Sequence, residues 1–212
     1  NKGLGFARQM VVDNAEGKYI IWVDGDMVLS KDYVSKLVEF MDENINYGIA
    51  KGEYALTPGS NWIATLEIYS RVAKNLGNFN YEVNKRSMGT SGSIYRIEAI
   101  KQVGGFNENI KGHGEDWDAE YRIRKAGWLL CTRKETYRDY ERYGLTWKNL
   151  WRRYFKRGYE LHDFLHINKG MLNLYAMLPT SAIIVGLLTS IKIYKMTHLK
   201  IAFLLPLQYM FK

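Results

Sequence analysis

Tyr19-Ile20-Ile21-Trp22-Val23-Asp24-Gly25-Asp26 sets five apolar or aromatic residues directly before two carboxylates that a single glycine separates. A short run rich in β-branched and aromatic residues reads as a buried strand. In an open α/β sheet, ligands bind just past the carboxyl ends of the strands. Two acids placed there suit a hard divalent cation held against a phosphate. The other reading is an Asp-Gly hairpin turn. The residues after the turn argue against a hairpin: Met27-Val28-Leu29 is short, and Ser30 is placed to cap a helix over residues 31–43, with Val34, Leu37, Val38 and Met41 at helical spacing. A calcium-binding EF-hand loop counted from Asp24 is excluded, because Val28, Leu29 and Ser35 stand where it needs an oxygen ligand, a glycine and a glutamate. From these residues alone, a plain turn and a metal or phosphate site both stay open.

About ninety residues further on, Gly112-His113-Gly114-Glu115-Asp116-Trp117-Asp118 leads two glycines into acids that open a helix expected over residues 116–126, with Gly127 as its stop. Asp118/Arg122 and Glu120/Arg124 are i,i+4 pairs on that helix. Acids at a helix start complement its dipole, and that reading is enough for Asp118 and Glu120. For Glu115 and Asp116 it competes with a role as general base on the edge of a glycine-rich loop. Gly89-Thr90-Ser91-Gly92-Ser93 is either a turn or a loop that lets backbone approach a ligand closely. The Gly-Lys-Ser/Thr ending of a nucleoside triphosphatase phosphate loop is absent.

The chain of 212 residues is 47% hydrophobic and 14% aromatic, with 16 Tyr and 6 Trp, enough for a sizeable core. Its single cysteine, Cys131, excludes an internal disulfide and a cysteine zinc cluster, and its apolar surroundings predict a small buried residue. Net charge is +8, of which +5 falls in residues 133–169, with ten Lys/Arg against five Asp/Glu. Phosphate substrates and anionic lipid fit this excess; nucleic acid fits least, since no zinc-finger spacing or RNA-binding aromatic signature is present.

The chain divides into three regions: an α/β part over 1–132, a basic aromatic part over 133–169 and an apolar part over 170–212. Residues 170–191 form 22 consecutive uncharged positions, long enough for a membrane-spanning helix. Residues 201–211 read as the start of a second helix. Lys148, Arg152, Arg153, Lys156, Arg157 and Lys169 precede the uncharged run, which by the positive-inside rule places the N-terminal part in the cytoplasm. Leu150, Trp151, Tyr154, Phe155 and Leu161, interleaved with Arg and Lys, predict either a helix lying on the membrane surface or one packing an aromatic face on the domain.

Four motifs in order carry a resemblance. They are Asn1-x-Gly3-x-x-x-Ala7-Arg8; Tyr19 to Asp26; Val103-Gly104-Gly105-Phe106-Asn107-Glu108; and Glu115-Asp116-x-Asp118-x-x-x-Arg122-x-x-x-x-Gly127. Over residues 1 to about 160 the chain resembles the family 2 glycosyltransferases. The resemblance implies a GT-A fold, a Rossmann-like α/β sheet, here partial and followed by membrane-associated helices. It implies an inverting transfer of sugar from a nucleotide-diphosphate sugar donor to a glycan, lipid or protein acceptor at a hydroxyl or a lipid phosphate, with no nucleic acid partner. Asp26, with Asp24, is implied as the holder of Mg²⁺ or Mn²⁺, with Asp24 near the ribose or the metal. Asp116 is implied as the base, with Glu115 beside it in the catalytic motif. Asn1, Gly3 and Arg8 are implied beside the donor, and Gly92 and Trp117 on the acceptor side. Members usually carry an earlier strand and loop that grip the nucleobase, so the chain is expected to lack its N-terminal part and on its own to be inactive. Many also carry a histidine beyond the acid helix; here Tyr137, Tyr140 and Tyr143 occupy that neighbourhood, and His162 lies further on. Trp151-Arg152-Arg153-Tyr154 does not match the signature of processive synthases, which favours transfer of single sugars. Two alternatives stay open, a sugar nucleotidyltransferase on a related sheet and a non-catalytic membrane-binding fragment.

Overall fold

The computed structural model describes residues 2–73, 81–82, 87–110, 114–139, 144–167 and 179–210. They fall into two compact units: Asn1–Glu53 with Asn78–Arg138, and Tyr54–Gly77 with Asp139–Lys212. Asn1, Gly112, His113, Tyr140 and Tyr143 lie outside the described residues, as do residues 170–178 of the uncharged run.

The first unit is mixed α/β. Its elements are α1 (Leu4–Asn14), β1 (Tyr19–Ile21), β2 (Met27–Leu29), α2 (Tyr33–Glu43) and β3 (Tyr47–Tyr54), then β4 (Tyr81–Glu82), β5 (Ser93–Arg96), α4 (Ile97–Gln102), α5 (Glu115–Lys125) and β6 (Leu129–Asp139). Among the described residues the strands form one sheet in the order β1-β5-β3-β6-β2, with β4 paired to β6. β5 is antiparallel to both neighbours, and Tyr95 faces Ile20 on one side and Ile49 on the other. A Rossmann-like sheet is expected to be parallel. Here Gly92 N–H donates to Trp22 O at 2.8 Å and Trp22 N–H to Ser93 O at 3.0 Å, so β5 starts where β1 ends and must run back along it. A core of Val12 of α1, Ile20, Ile49, Tyr95 and Leu130 of the sheet, and Ala99, Ile100, Ala119 and Ile123 packs α1, α4 and α5 on the sheet, and Tyr33, Leu37 and Met41 of α2 are fully buried besides.

Asp24-Gly25-Asp26-Met27 does form a turn, with Met27 N–H donating to Asp24 O at 3.0 Å. It is not a hairpin, because β1 and β2 lie at opposite ends of the strand order. Ser30 is not the cap of α2. Its N–H donates to Thr136 O and its carbonyl accepts from Tyr33 N–H, both at 3.0 Å, so the sheet and the next turn use its backbone. Asp32 takes the cap position instead, without a side-chain capping bond. Cys131 is buried in β6 as expected.

The second unit contains α3 (Trp62–Val72), α6 (Trp147–Ile167), α7 (Pro179–Thr197), a 3₁₀ turn over Lys200–Leu204 and α8 (Leu205–Tyr209). Leu66, Tyr69 and Val72 of α3 pack with Ile193, Ala202, Leu205 and Tyr209. Over the described residues 201–210 no long second helix opens: the 3₁₀ turn and Pro206 at the start of α8 fold them back onto α7, where Gly186 leaves room for Pro206. Among the described residues no helix is long and apolar enough to cross a membrane. α7 carries Lys192 and Lys195 in its C-terminal half and turns Ile193 inward. α6 packs one face on its own unit and exposes the other. Leu150 and Tyr154 pack with Ile63, Ala64 and Leu145, while Trp151 and Phe155 remain 51% and 65% exposed and stack on each other at 5.1 Å.

Candidate functional site

One loop, residues 87–93, bonds to Asp24 and passes beside Asp116, a carboxylate from each group singled out in the sequence. At one end Ser91 Oγ donates to Asp24 Oδ2, next to the turn at the end of β1. At the other, a Cβ placed on Gly89 would stand 3.5 Å from Asp116 Oδ2, so glycine leaves this carboxylate uncovered. Gly89 and Gly92 hold φ of +72° and +77°, which an L side chain adopts only with strain. Tyr33 and Gly92 are also locked together: the Tyr33 hydroxyl donates to Gly92 O at 2.5 Å and accepts from Gly52 N–H at 2.9 Å. Gly92 is thus buried and occupied with closing the loop on β1.

The loop backbone is gripped on both sides. Lys51 Nζ donates to Met88 O at 2.5 Å and Gly89 O at 3.3 Å, and Ser93 Oγ donates to Gly89 O at 2.6 Å. From below, Glu120 accepts from Met88 N–H at 2.9 Å and from Gly89 N–H at 2.7 Å. Glu120 is fully buried, and burial, with the nearby Asp116 carboxylate adding to it, pushes its pKa up to about 7. Neither Lys51 nor Glu120 was among the sequence candidates. A lone lysine inside Ile49-Ala50-Lys51-Gly52 was a readable signal for a buried cation; Glu120 was masked by its i,i+4 pairing with Arg124, which reads as a solvated helix pair.

Asp24 is exposed and Asp26 half-buried. Among the described residues no group of three or more His, Cys, Asp or Glu is arranged to hold a metal ion. Two carboxylates nevertheless fit Mg²⁺, which keeps waters and binds through one or two carboxylates plus substrate phosphates. Asp116 sits in the first turn of α5, half-buried, with Oδ1 accepting from the Trp117 N–H at 2.9 Å. Glu115 faces inward. It is 2% exposed, its Oε1 pairs with Arg8, and its Oε2 is enclosed without a hydrogen-bond partner. The Arg8 guanidinium lies 5.9 Å and 6.0 Å from the ring centres of Trp22 and Phe106. Arg8 and Glu115 therefore tie α1 to α5 beneath the end of β1. Gly3 is the N-cap of α1 at φ +95°, and Trp117 is half-buried in the first turn of α5.

Asp118 has the structural task expected of it. It pairs with Arg122 at 2.6 Å, and Arg122 also donates to Val103 O at 2.5 Å and Gly105 O at 2.8 Å. Phe106 N–H donates to Gln9 Oε1 at 2.6 Å. The Val103 to Asn107 motif is thus a joint between α1, α4 and α5. Tyr137, in the neighbourhood where relatives carry a histidine, is buried edge-on to Tyr33 at 6.1 Å, with Lys51 Nζ 5.7 Å from its ring centre.

The sequence profile of "Glycosyl transferase family group 2" matches residues 19–211, and the chain belongs to that family of glycosyltransferases. No curated protein matches it. Among 42 solved chains that match, one is the crystal structure of S. aureus TarS 1–349, 14% identical, with a TM-score of 0.43 over 99% of this chain and 70% of that one.

Proposed function

We propose that this chain is a metal-dependent, inverting glycosyltransferase of GT-A type that uses a nucleotide-diphosphate sugar at a membrane surface. The observation that carries the reading is the loop 87–93, which meets Asp24 at Ser91 and Asp116 at Gly89. A donor held at one end and an acceptor held at the other would share one backbone platform. Asp26 and Asp24 would hold Mg²⁺ or Mn²⁺ against the donor diphosphate, and the ion would supply neutralisation of charge on the departing nucleoside diphosphate. Asp116 takes the proton of the acceptor hydroxyl as that oxygen bonds to the anomeric carbon from the face opposite the diphosphate. The carbon–oxygen bond to the diphosphate breaks and the configuration inverts. Glu115, buried against Arg8, orients the start of α5. Asn1, Gly3 and Arg8 are assigned to the donor side and Trp117 to the acceptor side, while Gly92, buried against Tyr33, serves to close the loop rather than to line the acceptor.

Transfer chemistry is assigned to residues 1–132, and membrane contact to 133–169 and 170–212. α6 exposes Trp151 and Phe155 among Lys148, Arg152 and Lys156, and α7 exposes Ile184, Leu187 and Leu188. Such surfaces suit the lipid interface of the cytoplasmic leaflet.

The test is release of nucleoside diphosphate from a panel of nucleotide-diphosphate sugars with Mn²⁺, in the presence of lipid and glycan acceptors. Turnover by the wild type that Asp116→Asn abolishes supports the reading. Full turnover in the variant removes Asp116 as the base.

A further inference from the structure

We propose that Glu120 is a positioning residue: as a carboxylate it clamps the backbone of Met88 and Gly89 and so sets the loop that spans Asp24 and Asp116. The inference rests on the transferase reading above and concerns a residue on the buried side of α5. Both carboxylate oxygens are used, Oε2 by Met88 N–H at 2.9 Å and Oε1 by Gly89 N–H at 2.7 Å. Two donors from consecutive residues demand an acceptor with two free oxygens. Ionised carboxylate supplies two strong acceptors; protonation turns one oxygen into a hydroxyl that donates and accepts only weakly, and an amide replaces it with an NH2 that cannot accept. Lys51 and Ser93 hold the carbonyls of the same two residues. The peptide units at 88–89 are therefore fixed on both faces, two residues before Ser91 reaches Asp24.

Among the described residues the groups that face Glu120 come from α5, β5 and the loop. On α5, Asp116 lies one turn before it and Arg124 one turn after, the latter at 3.5 Å. Tyr95 of β5 and Ser87 of the loop also face it. Lys51 of β3 meets the loop carbonyls rather than the carboxylate. Fully buried with this company, Glu120 titrates at about 7. Below that pH the clamp loses an acceptor, so the loop loosens within the range where an enzyme is assayed.

Three measurements test this on the full chain. First, protection of the Met88 and Gly89 amides against hydrogen exchange, expressed relative to intrinsic rates, should fall in the wild type as pH drops through about 7. Protection that does not change across this range overturns the proposal, and this reading needs no variant and no activity. Second, Glu120→Gln should lower kcat at pH 8 by at least tenfold, with donor affinity by calorimetry within threefold of wild type. Third, the wild-type to variant kcat ratio should shrink toward one at pH 6. A ratio constant from pH 6 to 8 marks a merely structural role and overturns the proposal. If the amides behave as expected but the wild type turns over no nucleotide-diphosphate sugar, the transferase reading has failed and the clamp has not.

Discussion

Asp116 and Asp26 separate two tasks that the same substitution logic can divide. Asp116→Asn keeps an oxygen to accept from the Trp117 N–H, so α5 should start as before. What it loses is the base, and kcat should fall by about 10²–10⁴-fold. Mn²⁺-dependent donor binding should persist by calorimetry. Asp26→Ala should do the reverse, removing the stimulation of donor binding by Mn²⁺; a variant still stimulated would unseat the metal assignment. Glu120 adds a stability signature of its own. Its folded pKa of about 7 lies above the ordinary 4.5, so between those values the folded chain binds a proton that the unfolded chain does not. Its contribution is fully present below pH 4.5 and is lost as pH rises to about 7. The stability of wild type minus that of Glu120→Gln should therefore decline across this window in chemical denaturation; a flat difference would contradict it. The turn at Asp24–Met27 was legible because an Asp-Gly step after an apolar run is a strong turn signal. Glu120 was not, because its partners are backbone amides about thirty residues away, and no spacing rule reports them.

Among the elements, α5 and α6 show how far periodicity reaches. The i,i+4 pairs and the glycine stop place α5 within a residue of its observed bounds, and Gly127 takes φ +94° as a stop should. Periodicity did not show that Arg122 spans to two carbonyls of the loop after α4, since that contact belongs to packing. In the second unit the expected aromatic helix is present, yet its anchor is a polar one. Tyr154 OH donates to Glu67 Oε1 at 2.7 Å; Glu67 is fully buried in α3 and also accepts from Arg71 at 3.0 Å and from Gln208. Burial and the Glu67 charge together hold the Tyr154 phenol well above its usual range. Tyr154→Phe keeps the ring against Ile63 and Leu145 but removes one donor from a buried carboxylate. The expected cost is about 1.5–3 kcal/mol, the usual worth of a hydrogen bond to a charged group. Urea unfolding should show the midpoint shift without a change in slope; a loss below about 0.5 kcal/mol would mean the Glu67 node does not anchor α6.

For the whole molecule, the uncharged run and the basic excess admitted either a spanning helix or a surface one. α7 and the turn after it bury Ile193, Ala202 and Leu205 against α3 and leave Ile184, Leu187 and Leu188 outward, a one-sided apolar face. On the membrane-surface reading proposed above, binding of this face to anionic lipid must depend on charge. Each Lys or Arg at an anionic surface contributes about 1 kcal/mol, which is about fivefold in partition. Arg152 and Lys156 lie exposed on α6 beside the stacked Trp151 and Phe155. Replacing both with alanine should thus weaken binding to phosphatidylserine-containing vesicles by about 30-fold in flotation at low salt. Binding to neutral vesicles should hardly change, and salt should erase the difference between wild type and variant. If the enzyme works on a lipid acceptor at this surface, transfer to that acceptor on anionic vesicles should fall with binding. Transfer to a soluble acceptor should not. Equal binding by wild type and variant would remove α6 from the membrane contact and leave the exposed face of α7 as its remaining support.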